Sequence, residues 1–232
     1  MYSVSYLSKR ARIKGHVMPF SIVLGESSVG GDSFIDNFVI LGYPTRSKLK
    51  GLKRPLTLES IDEVSDGSMI GDSCIIRSNC VIYEGVQIGD GVEFGHDVLV
   101  RSGSKIGRES RIGSGAQLDG SVKIGEGCSI QSLAYLPHLT EVADNVFIGP
   151  GVTVTNDRYP PSENLAGVSI GEGAVIGARS VLLPGIRIGR GAVVAAGSVV
   201  TENVNEWKVV MGVPAREVYD RREYELRRGS RK

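Results

Sequence analysis

Aromatic residues are scarce in this chain, at 6% of 232 residues with a single Trp, yet 41% of the residues are hydrophobic. A core that is apolar but poor in rings needs many small, regular inward positions. Cysteine is also rare. The three present, Cys74, Cys80 and Cys128, form no CxxC pair, which argues against a zinc knuckle or a disulfide framework. Reduced thiols and a cytoplasmic location are the expectation. Charge of one sign is missing too. A formal net charge of +1 gives no global field to attract nucleic acid or a membrane surface. The basic residues that gather at the end, from Arg221 to Lys232, read as a solvated helix face. No stretch approaches the ~18 apolar residues of a membrane span. Residues 1–20 lack the unbroken apolar segment of a secretory leader.

Glycine, by contrast, is abundant: 31 residues, roughly twice the usual share. Its placement follows a period. Every sixth residue from Ile70 to Val154 is apolar, through Ile76, Ile82, Ile88, Phe94, Val100, Ile106, Ile112, Leu118 and onward. Chance would give fifteen such positions about once in 10⁵. The residue four further on is small or β-branched, as at Cys74, Cys80, Val86, Ser104, Ser110 and Cys128. Gly often follows the apolar residue, as in Ile106-Gly107 and Ile112-Gly113. The ladder resumes at Ile170 and has an earlier block at Val23, Val29, Ile35 and Leu41.

Six is neither the helical nor the strand period. It describes a short strand with two inward residues followed by a turn, where Gly is expected to supply an unusual backbone angle. Three such sides close a triangular coil of eighteen residues, and coils stack as parallel strands about 4.8 Å apart. The expected fold is all-β, a parallel β-helix over residues 1–205 followed by a helical extension over 206–232. Residues 1–22 are expected to cover one end. Pro214 suits a helix start, and a helix is expected from Ala215 to Arg228, with Glu217–Arg221 and Glu223–Arg227 as i,i+4 pairs. Two insertions interrupt the period, near residues 43–68 and 155–165. The second, Thr155 to Leu165, is polar and Pro-rich and reads as a projecting loop.

These repeats resemble those of the hexapeptide-repeat acyltransferases, over about Val23 to Val218. The resemblance implies a left-handed parallel β-helix, acetyl-CoA as acyl donor, and a homotrimer with sites in the clefts between subunits. Residues 146–162 (VFIGPGVTVTNDRYPPS), 176–200 and 211–216 (MGVPAR) are similar to N-acetyltransferases that modify amino groups on nucleotide-linked sugars. Phe94-Gly95-His96-Asp97-Val98 resembles the His-Asp segment that carries the catalytic His in several of these transferases, with Val98 where Cys is frequent. Gly177, Ala178, Ala195 and Ala196 match positions where the family lets pantetheine lie against the backbone. Arg216, or Lys208, is a candidate for the nucleotide phosphates.

The period also aligns turn residues into three edge columns. One is Ser78, His96, Ser114, Ser132, Pro150. A second is Glu84, Ser102, Gly120, His138, Asn156. A third, Asp72, Asp90, Arg108, Glu126, Asp144, is nearly all charged and reads as a solvated edge. Acyl transfer to an amine needs a base, an oxyanion donor and positioning. His96 is the candidate base, with Asp97 or a neighbouring subunit's carboxylate to orient it. His138 is the rival base and a candidate substrate contact. Asn156, Asp157, Arg158 and Tyr159 of the loop are further candidates for sugar hydroxyls or a phosphate. An O-acyltransferase acting on a sugar or small alcohol, and a non-catalytic trimeric scaffold, remain the alternatives. A zinc enzyme of the carbonic anhydrase type would need three His around the metal. Only His16, His96 and His138 exist, with no close pair, so no metal is expected.

Overall fold

In a computed structural model, which describes residues 4–229, the six-residue period becomes a three-sided parallel β-solenoid of about 11 turns. Its three sheets hold ten, nine and eleven short strands. Each strand pairs with the one a full coil away. Gln87 and Ile88 face Lys105 and Ile106, and Glu93 and Phe94 face Arg111 and Ile112. The repeated apolar residue points inward on every side. Ile76, Ile82, Phe94, Ile112, Leu118 and Ile148 are all at 0–1% exposure, and Phe94 is the largest side chain fully enclosed. The small residue four positions on fills the remaining width. Where it is Ser it bonds backbone: Ser110 Oγ donates to Gly125 O at 2.9 Å and accepts from Cys128 N at 3.0 Å. A buried hydroxyl must find partners, and these ones tie neighbouring coils together.

Glycine plays two roles at the corners. The Gly directly after the apolar residue keeps an ordinary backbone angle. A Cβ on Gly113 would lie 2.3 Å from Ser132 N of the next coil, so close stacking, not an unusual angle, demands Gly there. The left-handed angle falls two residues later, as at Gly115 with φ 69°. The equivalent corner positions Asn79, Asp97, Asn145 and Arg179 adopt it without Gly, at φ 56–64°.

The expected cover over residues 1–22 is corrected. Residues Tyr6–Leu7, Arg12–Ile13 and His16–Val17 are strands of a first coil, not a separate cover. The first insertion is not a simple loop. It folds into two short helices, α1 (Arg46–Gly51) and α2 (Leu58–Val64). Thr57 and Ser60 form a reciprocal cap at the start of α2. The buried carboxylate of Glu84 holds the insertion to the coil. It accepts from Thr45 N at 2.9 Å, from Asp66 N at 2.9 Å and from Lys48 Nζ at 2.7 Å. The second insertion, residues 155–168, has no regular structure.

The helix expected from Ala215 is corrected. Residues Ala215–Asp220 form a strand antiparallel to Lys208–Gly212, and the helix α3 runs only over Arg221–Gly229. The reason is the exposed edge of the last rung, whose backbone groups need a partner. Glu217 accordingly pairs across the hairpin with Lys208 at 2.6 Å, not with Arg221. The Glu223–Arg227 pair does form, at 2.6 Å. Among the described residues no helix is long and apolar enough to cross a membrane.

Candidate functional site

Each corner of the solenoid is a line of side chains from successive coils, and two corners carry a histidine. His96 stands between the third and first sheets, in the turn from Glu93–Phe94 to Leu99–Val100. Its ring Nδ1 lies 2.8 Å from Ser78 Oγ of the preceding coil, and its backbone N–H donates to Ser114 Oγ of the next at 3.0 Å. The side chain is exposed. Ser78 therefore fixes the imidazole. Asp97 sits in a left-handed turn position at φ 59°, and its backbone N–H donates to Ser78 O at 3.1 Å.

In the column of His96 itself no large side chain stands before the cofactor candidates, while the adjoining column of the same corner carries Leu133, 70% exposed, and Arg179. From His96 its own column passes through Ser114, Ser132 and Pro150. The register across the second insertion (Ile148 against Ile176) then brings Ala178 and Ala196 into the same line. A backbone ladder marks it: Gly115 N to His96 O at 2.8 Å, Gly151 N to Ser132 O at 2.9 Å, Arg179 N to Pro150 O at 2.9 Å and Gly197 N to Ala178 O at 2.8 Å. At about 4.8 Å per rung, Ala178 lies about 19 Å along the edge from His96 and Ala196 about 24 Å. Gly177 and Ala195 precede these alanines. A Cβ on Gly177 would lie 2.3 Å from Ala196 N, so coil stacking alone already requires glycine there.

His138 occupies a different corner, between the first and second sheets. Its Nδ1 lies 3.1 Å from Gly120 O, and Asn156 Nδ2 donates to His138 O at 3.3 Å. A carbonyl only accepts, so Nδ1 carries the proton and Nε2 is left bare. His138 is half-buried at the wall of a cavity of about 320 Å³ shared with Arg101, Asp119 and Leu165. Arg101 bonds Asp119 at 2.6 Å, and Tyr135 Oη donates to the other Asp119 oxygen at 3.2 Å. The hydrogen bond it donates to Asp119 holds the Arg101 guanidinium above its usual range. Burial, together with the Asp119 charge, pushes Tyr135 up.

The loop candidates divide. Asn156 belongs to the His138 column. Asp157 is engaged within the loop, accepting from Tyr159 N at 3.1 Å, Ser162 N at 2.8 Å and Ser162 Oγ at 3.0 Å. Desolvation works against its charge, and the Ser162 and Tyr159 bonds together outweigh it, so its pKa lies below the usual value. Arg158 and Tyr159 stand exposed, Tyr159 at 80%. Arg216 lies on the C-terminal hairpin, beside Lys208 and Glu217 at a cavity of about 150 Å³. Within one chain, then, His96 shares an edge with Ala178 and Ala196. His138 shares another with Asn156 and the loop. Each of the two edges carries its own histidine, and one chain does not bring them together. The charged third edge is paired, with Arg108 and Glu126 at 3.3 Å.

Sequence reasoning passed over the cationic side chains of the first insertion and the tyrosines beside them. The signal was present: Arg46, Lys48, Lys50, Lys53 and Arg54 fall within nine residues free of acids.

By architecture the protein is a parallel β-solenoid built from hexapeptide repeats. Residues 67–102 match the bacterial transferase hexapeptide (six repeats), and residues 167–202 match the hexapeptide repeat of succinyl-transferase. Together the two matches span 72 of the 232 residues and place hexapeptide repeats of the transferase type on both sides of the second insertion. Among solved structures it is similar in fold to a UDP-N-acetylglucosamine acyltransferase from Campylobacter jejuni. The identity is 18%, the TM-score 0.69, and the match covers 93% of this chain and 82% of that one. A UDP-N-acetylglucosamine acyltransferase from Francisella novicida matches at 16% identity and TM-score 0.55, over 98% and 73% of the two chains. A putative acetyltransferase from Bacillus cereus matches at 21% and 0.51, over 62% and 86%. No curated protein sequence matches the chain.

Proposed function

We propose that the protein transfers an acetyl group from acetyl-CoA to the amine of a nucleotide-linked amino sugar, with His96 as the base. The observation that carries this reading is the His96 edge. A line of small residues from Ala196 and Ala178 through Pro150, Ser132 and Ser114 offers an extended thioester a backbone to lie against, flanked by Leu133 and Arg179, and it ends at a histidine. The likeness of the Thr155–Ser162 loop and of residues 176–200 to nucleotide-amino-sugar N-acetyltransferases supports the acceptor class. In the tautomer whose Nδ1–H donates to Ser78 Oγ, Nε2 presents a lone pair that takes a proton from the attacking amine or its adduct. The nitrogen–carbonyl bond forms, the carbon–sulfur bond breaks, and the proton passes by way of His96 to the departing thiolate. Backbone N–H groups at the corner are the candidate oxyanion donors. Pairing His96 edges with neighbouring copies in a trimer would enclose this line.

The test is acetyl transfer from acetyl-CoA to UDP- or dTDP-linked amino sugars, beside the matching hydroxy sugars. Turnover of the amines and a loss of about 10²–10⁴ in kcat for His96→Ala are expected. No turnover with any amine, together with no CoA binding by calorimetry, would sink the proposal. Preference for the hydroxy sugars would make it an O-acyltransferase. A second reading has its own support. The hydrogen bond of His138 to Gly120 O leaves Nε2 bare beside a cavity, so His138 is the alternative base. A loss in His138→Ala with His96→Ala unimpaired would reassign the role.

A further inference from the structure

The first insertion creates a second place on the molecule with a chemistry of its own. Two adjoining cavities, of about 440 Å³ and about 320 Å³, lie where α1 and the chain around it lean over the His138 edge. They share Arg46, Tyr83 and Arg101. Lys50 and Arg54 line the larger one. Four cationic side chains thus face this space, against the single carboxylate of Asp119. The other cavities are mixed in sign: Arg12 stands with Glu26 and Asp66 in one, and Lys208 and Arg216 with Glu202 and Glu217 in another.

The imbalance is not neutralised nearby. Among the described residues Arg46, Lys50 and Arg54 have no ion-pair or hydrogen-bond partner, whereas Lys48, on the same helix, is held by Glu84 and Asp66. Arg46 and Lys50 are four apart on a helix, a spacing at which like charges repel. An anion between them would relieve that repulsion and accept charge-assisted hydrogen bonds. Beside the cations lies an aromatic wall. Tyr43 and Tyr83 meet edge to face with centroids 5.1 Å apart, and Arg101 stands 5.8 Å over the Tyr83 ring. Ser102, which lines the smaller cavity, has a buried Oγ with no hydrogen-bond partner among the described residues.

We propose that this cleft binds the nucleoside diphosphate of a nucleotide-linked ligand. Arg46, Lys50 and Arg54 meet the phosphates, the Tyr43–Tyr83 wall meets the base, and Ser102 supplies a polar contact. The cleft lies on a different edge from Ala178 and Ala196, which assigns it to the acceptor's nucleotide and not to the nucleotide end of the acyl donor. The assignment to an acceptor rests on the proposed acetyl transfer; binding of the diphosphate does not.

The test is calorimetric titration of the full chain with UDP, dTDP, inorganic pyrophosphate and CoA. The variants are Arg46→Ala, Lys50→Ala and the pair together, with Arg111→Ala on an open face as the charge control. The wild type is expected to bind UDP or dTDP, more weakly as salt rises. The double variant should lose at least about tenfold in affinity at an unchanged circular dichroism spectrum, while CoA binding and Arg111→Ala stay at wild-type values. Absence of nucleoside diphosphate binding to the wild type, or an unchanged affinity in the double variant, overturns the proposal. Loss of CoA binding in its place overturns the acceptor assignment. His96→Ala should still bind the nucleotide, so a failed transferase assay and a failed binding assay are read separately.

Discussion

An imidazole serves as a base only through a nitrogen whose lone pair is free, and at His96 Nδ1 is engaged with Ser78 Oγ at 2.8 Å, which leaves Nε2 to face the substrate. His96→Ala should therefore lower kcat while CoA binding by calorimetry stays at its wild-type value. A second residue-scale consequence concerns Cys80. Burial pushes its thiol up to about 12, whereas an unfolded chain titrates it near 8.5. A raised pKa means the stabilisation is complete below the unfolded value and fades as pH climbs toward the folded one. Urea midpoints should thus decline between about pH 9 and pH 12, and a Cys80→Ala variant should show a shallower decline. In the folded protein Cys80 should also resist iodoacetamide at pH 8, because the thiol and not the thiolate is buried.

At the scale of the element, the first insertion depends on one carboxylate. Glu84 gathers two backbone N–H groups and Lys48 at the His138 edge. Burial opposes the charge on Lys48, but hydrogen bonds to Asp66 and Glu84 prevail and raise its pKa. Glu84→Ala leaves two amides without their acceptor and Lys48 with Asp66 alone, a defect on the order of 3 kcal/mol. Because the damage is confined to the insertion, the expected readout is local. Amide exchange at Thr45 and Asp66 should quicken and trypsin should cut near Lys48, while the solenoid strands stay protected. The same variant should weaken the nucleotide cleft, since Arg46 and Lys50 sit on the loosened helix. The C-terminal hairpin makes the related point that an element answers its surroundings. Residues 215–220 carry charges at helical spacing, but the open edge of the last rung recruits them as a strand.

For the whole molecule, stability is distributed along a stack in which each coil contacts only its neighbours. Removing residues 107–124, one coil between Ile106 and Gly125, preserves the register because partners are eighteen residues apart. The shortened chain should keep a β-type circular dichroism spectrum and unfold cooperatively. It should nonetheless lose the proposed acetyl transfer, because His96 moves about 4.8 Å nearer to Ala178. A collapse of the fold on this deletion would contradict independent stacking.

The hexapeptide period, the inward side chains, the three edge columns and the sites of both insertions were legible in the linear order of residues. A six-step apolar ladder has few ways to bury itself, and the Ser78–His96 and His138–Asn156 contacts follow from counting eighteen. The role of the post-apolar glycines was not, because it depends on how near the next coil comes. Nor was the hairpin at residues 208–220, since a free sheet edge exists only once the sheet is built. The cationic cleft was present as a basic run, but a run of charges gains meaning from what it faces. Only the folded chain set Arg46 and Lys50 against Arg101 and Tyr83, because those partners reach each other through a helix packed across coils and not through any sequence period.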